Sequence, residues 1–249
     1  MIELQHVTKV FNRGKVNEVS ALEDVTLSIA DGEFAVLVGA NGSGKTTLLN
    51  TIAGAVLPSE GRVSINGREV TRLPEHKRSK WIARVFQNPL AGTAPELSIL
   101  DNFRLASLRT GKKRLVIGIN DRFRNTVRDK IAVLGLGLEN KLQQPMGSLS
   151  GGQRQALTLL MSVMDHTDIL LLDEPTAALD PKSAEVVMQT AEKIIADYRL
   201  TTILITHNMR ETLRFGNRII HMAGGRVVRD VDAAAKRALK LEDMYGWFG

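Results

Sequence analysis

The chain has 249 residues, 43% of them hydrophobic, with 33 Lys and Arg against 27 Asp and Glu, a formal net charge of +6 and no cysteine. That length and apolar share allow a substantial core and suit one large α/β domain with an appended subdomain. The absence of cysteine excludes a disulfide framework and thiolate metal sites, and agrees with a reducing compartment. No apolar run approaches the roughly 20 residues that span a bilayer, and Met1-Ile2-Glu3-Leu4-Gln5 has no charged segment leading into an apolar one. The chain is therefore expected neither to span a membrane nor to be exported. Its basic balance permits attraction to nucleic acid, anionic lipid or an acidic protein without choosing among them. The clusters Lys77-Arg78-Ser79-Lys80 and Lys112-Lys113-Arg114 are short, lack interleaved aromatics and read as solvated faces.

In chain order, Ile2 to Thr8 and Val25 to Ile29 alternate loosely and predict an antiparallel strand pair ahead of the turn Asp31-Gly32. Phe34 to Val38 is a continuous apolar run of strand length, and it leads through glycines into a predicted helix over Lys45 to Ala53. Arg62 to Ile65, followed by Asn66-Gly67, predicts a strand entering a hairpin. From about Pro89 to Gly147 the spacing turns helical, with Leu97, Leu100, Phe103 and Leu105, then Val127, Ile131 and Leu134, as the apolar stripes. Thr110 to Asn120 is read as a surface excursion within it. Beyond Ser150 helices and buried strands alternate: a helix from Gly151 to about Asp165, a strand Ile169 to Leu172, a helix Lys182 to Tyr198 and a strand Thr202 to Thr206. This βαβ order implies a parallel sheet. Ile219 to Met222 and Arg226 to Arg229, around Gly224-Gly225, predict a closing hairpin, and Asp232 to Leu241 a helical tail.

Three stretches carry chemistry. In Gly39-Ala40-Asn41-Gly42-Ser43-Gly44-Lys45-Thr46 small residues let backbone N–H groups approach phosphate oxygens, and the helix that follows aims its positive end at the same anion. Lys45 is expected to reach the β- and γ-phosphates, and the Thr46 hydroxyl to ligate Mg²⁺, with Asn41, Gly42, Ser43, Gly44 and Thr47 completing the cradle. Ile169-Leu170-Leu171-Leu172 is apolar enough for a central strand, so Asp173 at its C-terminal end sits where open α/β sheets place ligands and is the second metal anchor. In Leu149-Ser150-Gly151-Gly152-Gln153, Ser150 can cap the next helix or, with the amides of Gly151, Gly152 and Gln153, form a second anion site.

A P-loop, then Ser-Gly-Gly-Gln, then an apolar strand ending in Asp173-Glu174 resembles the ATP-binding-cassette (ABC) ATPases, over about Ile2 to about Val231. The resemblance implies an α/β fold with a P-loop NTPase (RecA-like) core, a mixed N-terminal antiparallel β subdomain and an inserted helical subdomain. It places one ATPase domain over 1–231, with 1–88 and 155–231 as core, 89–154 as the helical subdomain with the Ser-Gly-Gly-Gln element, and 232–249 as a helical tail. It makes Glu174 the general base, Gln87 a contact to Mg²⁺ or water, His207 the switch residue touching the γ-phosphate, and Asp180 part of a loop linking two sites. Phe11 takes the place of an aromatic that stacks on adenine, a core phenylalanine being the competing reading. Since one nucleotide cannot easily fill two phosphate cradles of one subunit, the resemblance implies a head-to-tail homodimer with two ATP molecules, each with Mg²⁺, between the chains. Gln153-Arg154-Gln155-Ala156 lacks the second arginine common after this element.

The leading expectation is the ATPase subunit of a bacterial importer on the cytoplasmic side of the inner membrane. A groove around Gln87 to Glu96 would receive a helix of a separate permease, with an extracytoplasmic solute-binding protein delivering an amino-acid-like solute. Two alternatives stand beside it: an exporter's ATPase, and a soluble ABC ATPase acting on nucleic acid. Against the latter, chromosome-associated relatives need hundreds of coiled-coil residues between P-loop and Ser150, where about 100 intervene here, and the chain has room for only one cassette. No nucleic-acid partner is expected.

Overall fold

The computed structural model describes residues 1–88, 90–110 and 118–247. They fall into two units, Met1–Ile82 with Leu200–Gly249, and Ala83–Arg199. The basic stretch Lys112-Lys113-Arg114 lies outside the described residues.

The first unit opens with β1 (Ile2–Phe11) and β2 (Val19–Ile29), antiparallel as their alternation requires, with Ile2, Leu4, Val7, Leu22, Val25 and Ile29 turned into the core. β3 (Phe34–Val38) has no polar alternation because both its faces are covered: Ala35 to Val38 are fully buried. It feeds α1 (Lys45–Ala53), which matches the predicted bounds. β4 (Glu60–Ile65) and β5 (Arg68–Glu69) form the hairpin around Asn66-Gly67, and the first sheet runs β2-β1-β4-β5. The short α2 (Glu75–Arg78) follows.

Arg78 corrects the reading of its cluster as a solvated face. Its side chain is fully buried and every nitrogen of the guanidinium donates: Nε to Leu73 O at 2.8 Å, Nη1 to Thr51 O and Ile52 O at 2.8 Å each, and Nη2 to Thr71 O at 3.2 Å. Two of those carbonyls are at the C-terminal end of α1, where helix carbonyls lack intrahelical partners and the dipole favours a cation. Burial without a carboxylate lowers the Arg78 pKa to about 10.

The second unit contains all but the first residue of β6 (Ile82–Val85), then α3 (Ile99–Ala106), α4 (Asp121–Ala132), a 3-10 turn Met146–Ser148, α5 (Gly151–Ser162), β7 (Ile169–Asp173) and α6 (Pro181–Tyr198). β7 lies beside β6 and is buried along its whole length. Of the predicted helical stripes, Leu100, Phe103, Val127 and Ile131 are buried, whereas Leu97 precedes α3 and Leu105 projects outward, both exposed. Among the longer helices, α3, α4, α5 and α6 each start on a side-chain cap, from Ser98, Asn120, Ser150 and Asp180.

The chain then returns to the first unit through β8 (Thr201–Ile205), α7 (Met209–Arg214), β9 (Arg218–Ala223), β10 (Arg226–Val231), α8 (Ala233–Ala238) and a 3-10 segment Leu241–Trp247. β3 pairs in parallel with both β8 and β9, and β10 closes antiparallel on β9, giving the order β10-β9-β3-β8. The parallel register of β3 with β8 and β9 puts the C-terminal ends of three strands at one edge, where Gly39 follows β3 and Thr206 follows β8. Among the described residues no helix is long and apolar enough to cross a membrane.

Candidate nucleotide site

In the first unit the loop between β3 and α1 is built by backbone that only glycine tolerates. Gly39 has φ 144° and a Cβ there would stand 2.1 Å from Met222 O; at Gly44, φ 102°, it would stand 2.5 Å from Ala21 O. Because Gly44 has no side chain to cap α1, the first amides of that helix are left for an external acceptor, unlike those of the four capped helices. Ser43 Oγ is buried with no hydrogen-bond partner among the described residues. Lys45 is also buried, its Nζ donating to Gly39 O at 2.7 Å and Ala40 O at 2.8 Å. An uncapped helix end, an orphaned hydroxyl and a lysine folded onto the loop's own carbonyls fit a polyphosphate, which would supply acceptors to all three. Asn41, Gly42 and Thr46 are exposed at the loop, and Thr47 is half-buried.

Phe11 ends β1 half-buried, with Lys9 Nζ 4.9 Å from its ring centroid, and so lies outside the fully buried core. His207 follows β8, exposed, held between Thr206, whose Oγ1 bonds the Glu211 carboxylate, and Asn208, whose side chain caps α7 through Arg210 N and Glu211 N.

In the second unit β7 delivers Asp173 and Glu174. The buried Asp173 carboxylate accepts from Arg84 Nη2 at 3.1 Å, the two side chains only 12% and 11% exposed. Glu174 has a left-handed backbone, φ 50°, an uncommon conformation for a residue with a Cβ. Gln87 Nε2 lies 3.5 Å from Glu174 Oε2, at the outer limit of a hydrogen bond, so the structure brings Gln87, Asp173 and Glu174 together. No group of three or more His, Cys, Asp and Glu gathers among the described residues. A magnesium ion held through nucleotide phosphates needs only one or two protein carboxylates, and within the second unit Asp173 and the Gln87 amide are oxygen donors of that kind; the exposed Thr46 hydroxyl is another within the first unit.

Ser150 heads α5 in a capping box: its Oγ accepts from Gln153 N at 3.3 Å, and Gln153 Oε1 accepts from Ser150 N at 3.1 Å. Both readings of Ser150 thus concern the same atoms, since the hydroxyl that caps the helix lies at its N-terminal end. Arg154, absent from the predicted set, holds this turn by donating to Met146 O at 3.2 Å and to Gly147 O and Leu149 O at 2.9 Å each. Gln155, also unforeseen, donates to Phe86 O at 2.9 Å, tying α5 to the residue before Gln87. Gly152 has a packing role that the sequence does not announce: a Cβ there would meet Ser183 Cβ at 2.5 Å, so α5 and α6 approach closely. Asp180 caps α6 through Lys182 N and Ser183 N at 3.1 Å each, and its carboxyl pKa is lowered, chiefly by the Ser183 hydroxyl.

The glycine-built loop and uncapped helix define a P-loop nucleoside triphosphatase on an α/β scaffold. Beyond that class, a family model described as "ABC transporter" matches residues 22–177. The chain is 36% identical over 244 residues to a tyrosine transport ATP-binding protein of Clostridioides difficile, covering 98% of this chain and 97% of that one. It is 34% identical to a phosphonates import ATP-binding protein of Rhizobium johnstonii (99% and 86% covered) and 32% identical to a methionine import ATP-binding protein of Enterococcus faecalis (92% and 64% covered). Among solved structures, a dimeric ATP-binding cassette in a post-hydrolysis state, bound to ADP and Pi, superimposes with a TM-score of 0.80 at 31% identity, covering 94% of this chain and 99% of that one. The chain belongs to the ABC transporter family, with the P-loop NTPase α/β fold, and is an ATP-binding and ATP-hydrolysing transport subunit.

Proposed function

We propose that the chain powers uptake of an amino-acid-like solute, working as a head-to-tail homodimer on the cytoplasmic face of the inner membrane. A separate permease carries the solute and an extracytoplasmic solute-binding protein delivers it. Similarity to tyrosine and methionine transport subunits supports the solute class, and similarity to a dimeric cassette supports the pairing. The proposal keeps one ATPase domain over 1–231, with 89–154 as its helical part and 232–249 as a tail.

In this reading the loop amides, Ser43 and Lys45 grip the phosphates, with Asn41, Gly42, Gly44, Thr46 and Thr47 lining the cradle and Phe11 against adenine. Thr46, Asp173 and Gln87 would hold Mg²⁺, which when bound would neutralise charge on the phosphates. Glu174 accepts the proton of the attacking water and Gln87 orients its carboxylate. His207 faces the γ-phosphate. Ser150, Gly151, Gly152 and Gln153 of the partner copy close over the same nucleotide, with Asp180 near the junction of the two sites.

A groove of about 730 Å³ in the second unit, lined by residues that include Gly92, Thr93, Ala94, Leu105 and Met161, is the proposed seat of the permease helix. Leu105, more than half exposed, suits such an occupant. The observation that carries the reading is the presence in one chain of an uncapped P-loop helix and of a second helix start, at Ser150, in a Ser-Gly-Gly-Gln stretch. Ser150→Arg is expected to leave nucleotide binding in place and abolish phosphate release; a normal hydrolysis rate would reject the shared site.

A further inference from the structure

Among the described residues Arg78, Arg154 and Arg84 each have a buried or nearly buried side chain, and Arg84 is used differently from the other two. Arg78 spends its guanidinium on four backbone carbonyls and Arg154 on three, which is how a structural arginine is satisfied. Among the described residues Arg84 makes a single hydrogen bond, Nη2 to Asp173 Oδ2 at 3.1 Å. Its guanidinium stands 4.7 Å from the Phe86 ring centroid, and its Nε is buried with no partner among the described residues. A buried donor left unmet is a cost that packing alone does not justify.

The one contact falls on the carboxylate read here as the metal anchor. A cation beside Asp173 compensates the charge of a carboxylate held in a nearly dry site, the task a bound divalent ion would otherwise perform. The guanidinium would compete with a divalent ion for that one carboxylate, and the competition would lower metal affinity. The contact is monodentate, and the guanidinium already lies over the Phe86 face, a contact that remains once the carboxylate is released.

We propose that Arg84 is a placeholder cation for the metal site: it neutralises Asp173 while the site is empty and must yield when magnesium enters with nucleotide. It is a positioning residue, acting on nucleotide only through Asp173. The inference rests on the reading of Asp173 as metal anchor, and the two are separable by experiment.

The test is a titration of the folded subunit and ADP with Mn²⁺, followed by electron paramagnetic resonance of the free ion, which reads binding rather than turnover. Arg84→Met is expected to bind Mn²⁺ about tenfold more tightly than wild type, within the usual range of coupling between two sites. ADP affinity without metal should be unchanged. Arg84→Gln, also neutral, should behave alike if the methionine variant does not fold, and Arg84→Lys, which keeps the charge, should stay near wild type. Unchanged or weakened Mn²⁺ affinity in the neutral variants overturns the proposal and leaves Arg84 a structural residue. If Asp173→Asn binds Mn²⁺ as wild type does, the metal-anchor reading itself fails and the placeholder falls with it.

Discussion

Arg78 and Lys236 show how individual side chains hold the nucleotide-binding unit together without carboxylate partners. Removing the Arg78 guanidinium leaves the carbonyls of Thr51, Ile52, Leu73 and Thr71 buried without donors. Arg78→Met should therefore cost about 3 kcal/mol in urea denaturation, through loosening of the C-terminal end of α1. Lys236 on α8 donates to Phe215 O and Gly216 O, and burial lowers its pKa from 10.5 to about 8. Between pH 8 and 10.5 the unfolded chain holds this proton and the folded chain does not, so raising the pH through that window stabilises the fold. Relative to Lys236→Met, wild type should gain stability from pH 8 to 10 by at most about 1.4 kcal/mol per pH unit, read from urea midpoints; a flat difference would remove Lys236 as the cause. Neither residue is conspicuous in sequence. Arg78 sits in a run of charge that resembles any solvated face, and its burial depends on α1 carbonyls some 26 positions away.

Strong local signals produced the elements that could be read directly. β3 and α1 occupy the expected residues because a fully apolar run and a helical stripe are each bounded by glycine. The β9 and β10 hairpin follows from Gly224-Gly225. The four- and six-residue helices α2 and α7 escaped, being too short to show a period; α7 depends on the Asn208 cap. Leu97 and Leu105 fit a helical spacing yet face outward, because α3 begins at Ile99 and buries only one side. The contact between α5 and α6 at Gly152 and Ser183 was likewise invisible, as a glycine in Ser-Gly-Gly-Gln already has a reading as an anion-site residue. Gly152→Ala should destabilise by about 1–3 kcal/mol through overpacking, and Ser183→Gly in the same chain should recover most of it, as measured by chemical denaturation. Failure of the second change to rescue would place the cost elsewhere.

For the molecule as a transport subunit, the order of three phosphate-handling stretches was enough to read the family, since each needs a fixed backbone context that sequence can display: strand, glycine turn, helix. What sequence could not display is how charge is arranged between distant residues, such as Arg84 on Asp173. In the proposed reading of Glu174 as general base, its near-contact with Gln87 would orient it before nucleotide arrives. If Glu174 is the base as proposed, Glu174→Gln removes it while keeping size and hydrogen bonding, so hydrolysis should fall by at least about 10²-fold with ATP still bound. The resulting species would be a pair of chains clamped around two nucleotides. Sedimentation velocity of this variant with ATP and magnesium should therefore show a dimer that reverts to monomer when nucleotide is removed. A chain that stays single at high protein concentration with ATP bound would contradict the shared-site account.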